Sequence, residues 1–206
     1  MKRSLLIGIL CAVVAVPTSG GLAAAPKVKT VIEDPAGDAN GLNDQGTGDG
    51  SNGDQVTPAD ASTVTDLLKV TLSNDAKNLY VTFLTETAPP ATQGVGFRLR
   101  VNPDEAGGSY CLLVEAFYPG AGNALDAAVG QLQDTCTGET TEIEVLGAMV
   151  VVPRKASEAL GKGATLKAPQ AHAFIYLGGP PPAGVPYPVT DTTKVGTDYK
   201  LVDKKK

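Results

Sequence analysis

The sequence predicts an all-β fold, an antiparallel β-sandwich of jelly-roll or immunoglobulin-like type with at most one short helix. Three observations predict it. From Leu68 onward apolar residues alternate with polar ones in short runs, the period of a strand that buries one face. Clusters of Asn, Asp, Gly and Pro separate those runs at fairly even spacing, as in sandwiches of short strands. Nowhere do strand and helix patterns alternate in the way a doubly wound parallel sheet requires.

The elements follow in order. Leu68, Val70 and Leu72 alternate with polar neighbours, residues 74–78 (Asn-Asp-Ala-Lys-Asn) supply a turn, and Leu79, Val81 and Phe83 resume the alternation. Residues 66–73 and 78–86 therefore form a hairpin, ended by Pro89 and Pro90. Val95, Phe97, Leu99 and Val101 mark a third strand with Arg98 and Arg100 on its other face, and the turn at 102–108 leads into a fourth over 110–118. Further strands are expected at 127–133, 141–146, 148–152, 171–177 and 198–202. Residues 153–160, rich in helix formers and stopped by Gly161, predict a helix of about two turns.

Residues 1–25 have the three parts of a secretory signal peptide: basic Lys2 and Arg3, an apolar run from Leu5 to Val16, and the small residues Ala23 to Ala25. That run is shorter than the roughly 20 residues needed to span a bilayer. Cys11 lacks the small residue usual before a lipid-attached cysteine. The expected organisation is a signal peptide (1–25), an acidic Gly/Asn/Asp-rich segment (26–62), a β-sandwich domain (63–203) and a basic tail (204–206). A secreted, extracellular location follows, with no membrane span after cleavage.

The formal charge of −5 is unevenly spread: from Glu33 to Asp66 there are eight acidic residues and no Lys or Arg. With its one basic cluster at Lys204 to Lys206, the chain has little to hold a phosphate backbone, so nucleic acid is not an expected partner. Cys111 and Cys136 are the cysteines left after cleavage and are expected to form a disulfide. Closing a loop of about 25 residues stabilises by roughly 3 kcal/mol in a chain-entropy treatment. The single histidine, His172, cannot complete a zinc tetrahedron with them.

Calcium takes six to eight oxygen ligands from carboxylates, carbonyls and water. Asp34, Asp38, Asn40, Asn43, Asp44, Asp49 and Asp54 offer such oxygens along a glycine-rich backbone. Their spacing does not match the twelve-residue EF-hand loop. Two other readings stay open for this composition: a solvated linker that needs no ligand, and an acidic surface for a basic partner.

The opening residues 34–39 (Asp-Pro-Ala-Gly-Asp-Ala), the stretch 65–72 leading into 78–83, the segment from Val151 to Gly161 and the closing residues 196–199 (Gly-Thr-Asp-Tyr) together resemble secreted bacterial β-sandwich modules similar to family 9 carbohydrate-binding modules and DOMON-like domains. The resemblance spans most of the mature chain through short motifs. It implies the sandwich fold and a structural calcium near the acidic opening, held by Asp34, Asp38 and Asp66; the oxygen-rich composition adds Asn40 and Asp44 as further candidate ligands. Sugar-binding members usually stack sugars on exposed aromatic rings that include tryptophan; this chain has no Trp.

No catalytic motif is present. A Ser-His-Asp arrangement would have to use His172, yet there is no Gly-x-Ser-x-Gly elbow, and residues 171–175 place it as an exposed histidine in a strand. Glu115, among apolar neighbours, is expected to face outward, with no partner for acid–base chemistry readable from sequence. Tyr118 and Tyr187 are the candidate stacking residues, Tyr187 because it lies in the proline-rich stretch 180–188. Two readings of function result: a secreted, non-catalytic binding or structural module, calcium-stabilised, whose partner is an extracellular glycan or protein; and, as the alternative, an extracellular carbohydrate-binding module.

Overall fold

A computed structural model describes residues 27–37, 39, 65–87, 94–103, 110–119, 127–176 and 189–203. Among these residues twelve strands run in chain order: β1 (Lys29–Glu33), β2 (Leu67–Asn74), β3 (Asn78–Thr85), β4 (Gly94–Pro103), β5 (Tyr110–Tyr118), β6 (Val129–Asp134), β7 (Glu139–Leu146), β8 (Met149–Pro153), β9 (Thr165–Leu166), β10 (Gln170–Tyr176), β11 (Val189–Thr192) and β12 (Tyr199–Lys200). Ten of them form one antiparallel sheet in the order β1-β2-β3-β8-β7-β6-β5-β4-β10-β11, while β12 pairs with β9.

The two layers expected from sequence are two halves of this one curled sheet. The bend lies in β7, whose residues 139–143 pair with β6 and whose residues 144–146 pair with β8. The halves then face each other across the core. Phe83 of β3 stacks on Phe97 of β4, with ring centroids 5.5 Å apart, although four strands separate β3 from β4 along the sheet. Around them the inward positions predicted by period two, Val70, Leu72, Leu79, Val81, Leu99, Val101, Leu112 and Val114, are buried in one cluster. A fully buried side chain of this size contributes about 1.5–3 kcal/mol.

Four features differ from expectation. The sheet begins at Lys29, inside the segment assigned to the acidic lead, because residues 29–33 (Lys-Thr-Val-Ile-Glu) pair with β2 and bury Val31 and Ile32. β9 and β11 are additional strands, too short for an alternation to show. The strand expected at 198–202 is reduced to β12. Two 3₁₀ turns, Arg154–Ala156 and Glu158–Leu160, replace the helix, since Ser157 between them is fully extended (φ −154°, ψ 142°) and its side chain caps Ala159 N instead of continuing the spiral.

Residues 196–203 bind the sheet together. Thr197 N donates to Val31 O (2.8 Å) and Lys29 Nζ to Asp198 O (2.6 Å), so this stretch lies along β1. Buried Asn74 accepts from Tyr199 Oη and Val202 N, both at 3.0 Å, and donates to Val202 O. Buried Arg154 donates to the carbonyls of Leu160, Gly161 and Asp75 and pairs with Asp203 at 2.7 Å. Cys111 and Cys136 are bonded, with Cα atoms 4.9 Å apart, tying the start of β5 to the β6–β7 turn.

Candidate functional site

Asp66 enters β2 and is 2% exposed. Its Oδ2 accepts a hydrogen bond of 2.6 Å from Gly37 N, and its Oδ1 has no hydrogen-bond partner. Gly37 has φ +82°, a left-handed conformation that glycine adopts without penalty, and this turn is what aims its N–H at the carboxylate. Asp34 N donates to Leu68 O at 3.0 Å. Residues 34–37 are thus wrapped against the start of β2, which brings Asp34 and Asp66 into one neighbourhood. None of the three ion pairs among the described residues involves Asp66. The other expected ligands, Asp38, Asn40 and Asp44, lie outside the described residues, and among the described residues no three His, Cys, Asp or Glu side chains converge as a metal set.

Of the two tyrosines expected to stack on a ligand, Tyr187 lies outside the described residues. Tyr118 does not present a free face. Its ring packs edge-on against Phe97 at the margin of the core, and its hydroxyl donates to Gly147 O at 2.7 Å. Burial pushes its pKa up to about 12.

The outward face of the β6-β5-β4-β10-β11 half overturns the expectations for Glu115 and His172. Register places Arg98 between Glu115 of β5 and His172 of β10, and His172 opposite Thr192 of β11. Glu115, expected to face solvent, is 0% exposed. Arg98 Nε donates to its Oε1, and the side-chain amides of Gln131 and Gln133 donate to its Oε2 at 2.5 and 2.6 Å. His172, expected to be exposed, is 6% exposed. Its Nδ1 lies 3.1 Å from Thr192 Oγ1, while Nε2 is buried with no hydrogen-bond partner. Burial, then the Arg100 and Arg98 cations, push the imidazole down to about 3, so it is neutral at physiological pH.

Aromatic rings complete this layer. Phe174 lies directly on Gly96, where a Cβ would fall 2.0 Å from the ring, and meets Phe117 edge-on at 5.8 Å. Arg98 sits 5.6 Å over Phe174, and Arg100 sits 6.0 Å over Tyr110. Sequence reasoning treated this face as solvated. The available signal was that Phe117 and Phe174 share the outward parity of Glu115 and His172, which a purely solvated face would not favour. An open cavity of about 480 Å³ adjoins it, bordered by Phe117, Val129, Gln131, Glu142 and Glu144.

Among the described residues no helix is long and apolar enough to cross a membrane. No family model, no curated protein and no solved structure matches the chain.

Proposed function

We propose that the chain is a secreted, non-catalytic binding or structural module whose β-sheet is stabilised by calcium at the acidic opening. One observation carries the calcium part: Asp66 is almost fully buried with one carboxylate oxygen that nothing donates to. Burying an uncompensated carboxylate is costly, and a divalent cation shared with Asp34 and with oxygens of the acidic stretch supplies the missing charge. In this reading Asp34, Asp38 and Asp66 are the anchoring ligands, Asn40 and Asp44 complete the oxygen set, and the ion fastens residues 34–44 to the sheet. Binding only to the folded state raises stability by mass action.

The test is thermal unfolding of the mature protein in calcium and in chelator. The midpoint should rise with free calcium, and Asp66→Asn should remove the dependence while preserving the Gly37 hydrogen bond. Coincident curves, together with no calorimetric binding near millimolar calcium, would refute the reading.

A carbohydrate-binding module is the second reading, now favoured by the cavity rather than by Tyr118. Gln131, Glu142 and Glu144 on its border offer the donors and acceptors that sugar hydroxyls require. Glycan-array binding lost in Gln131→Ala but kept in Tyr118→Phe would support this placement, and an array without signal would remove it.

A further inference from the structure

We infer that the outward face of β4 and β10 binds an oxyanion, the carboxylate, sulfate or phosphate group of a ligand, between the Arg100 guanidinium and Nε2–H of His172. The inference uses none of the residues of the calcium site. Its basis is a surplus of donors. Glu115 is the buried carboxylate of this face, and both its oxygens are already occupied, by Arg98 and by the two glutamine amides. Its charge acts on Arg100, but it forms no ion pair with that guanidinium among the described residues. Among the described residues Arg100 makes no ion pair, and its guanidinium rests on the Tyr110 ring.

His172 adds a second donor beside it. In the tautomer the proposal requires, the Thr192 hydroxyl donates to Nδ1 and the ring proton sits on Nε2, the buried atom that has no partner. Arg98 lies directly across the β4–β10 ladder from His172 and Arg100 two residues further along the same face, and the charges of both act on this imidazole. Two arginines and a neutral N–H against one fully engaged carboxylate leave a local positive excess, in a chain whose formal charge is −5. An oxyanion answers all of these at once: it pairs with the guanidinium fork and accepts from the imidazole. The same two cations repel a metal ion from Nε2, so a divalent cation is the wrong ligand here. Arg98 keeps 22% of its side chain exposed to solvent.

His172 is the chain's single histidine, so its ring nitrogens can be followed without ambiguity in nitrogen-15 correlation spectra of the full mature chain. At pH 7 the spectrum should show the Nε2–H tautomer. Sodium sulfate, sodium phosphate and sodium glucuronate are titrated separately against sodium chloride at matched ionic strength. The ring resonances should move saturably with at least one oxyanion and not with chloride, and Arg100→Met should weaken that binding roughly tenfold or more, the loss of one charge-assisted contact. Arg100→Lys, which keeps the charge but not the fork, should fall between the two. Sulfate or phosphate acting alone identifies a sulfated or phosphorylated ligand; glucuronate acting alone identifies a carboxylated sugar. An Nδ1–H tautomer, a response equal to that of chloride, or unchanged affinity in folded Arg100→Met would each overturn the inference. So would a ring shift in Asp104→Asn or Glu105→Gln without added anion, since it would place the acceptor in the chain itself.

Discussion

Arg154 and the Arg98–Arg100 pair are cations packed against the same sheet, yet their surroundings differ in one respect. Around Arg154 the acceptors nearly match the donors: three carbonyls and the Asp203 carboxylate take four of its five N–H groups. Around Arg98 and Arg100 they do not, because Glu115 pairs with Arg98 and two amides while Arg100 makes no ion pair among the described residues and His172 Nε2 has no partner. The difference separates two uses of a buried charge. A saturated cluster adds to stability and cannot bind anything further; an unsaturated one gives up stability and retains capacity for a ligand.

The largest effect is expected at the saturated cluster. Arg154→Met should lower the unfolding free energy by about 3 kcal/mol or more, since several carbonyls lose their donor together. Urea denaturation measures it, and a loss below about 1 kcal/mol would erase the contrast. Acid should act on the other cluster. Below the ordinary histidine pKa of 6.5 the unfolded chain takes up a proton that buried His172 refuses until about pH 3. Stability therefore falls as pH drops through that window, by at most about 1.4 kcal/mol per unit from this group. Arg98 and Arg100 on β4 oppose the new charge, and Thr192 on β11 is its hydrogen-bond neighbour. His172→Phe should flatten this part of the pH profile; a slope equal to the parent's would show that the imidazole is not the source.

Glu115→Gln comes next, at about 2 kcal/mol, because the substitution keeps the shape but removes the anion to which Arg98 and two amides donate. Near-neutral behaviour would mean that this carboxylate is not needed to hold Arg98. The smallest effect is expected for Arg100→Met, within about 0.5 kcal/mol, as methionine keeps apolar contact with Tyr110 while no ion pair is lost. A large loss would move Arg100 into the class of Arg154 and argue against a ligand role.

How much of this was legible in the sequence depends on the kind of information each feature uses. The strands from Leu67 to Tyr118 were readable because period two is a local signal, and the Cys111–Cys136 bridge followed from counting. β1 was missed because five residues bury only Val31 and Ile32, too few to reveal alternation, and their partner lies beyond the long acidic stretch. Glu115 and His172 were assigned to the correct side of their strands but to the wrong environment. Alternation tells two faces apart without saying whether the second is covered. The Arg154 hub was not legible, because its acceptors are carbonyls, which every residue carries.

The stretch along β1 has a consequence for biosynthesis. Lys29 and Asp198 meet across 169 positions, and Thr197 reaches Val31 across a similar span. A chain that leaves the ribosome or crosses a membrane N-terminus first therefore displays β1 long before residues 196–203 arrive to cover it. Closing so long a loop is slow, and an open strand edge invites pairing with another chain meanwhile. Such a sequence places its main demand on chaperones in the interval between the emergence of β2 and that of Tyr199.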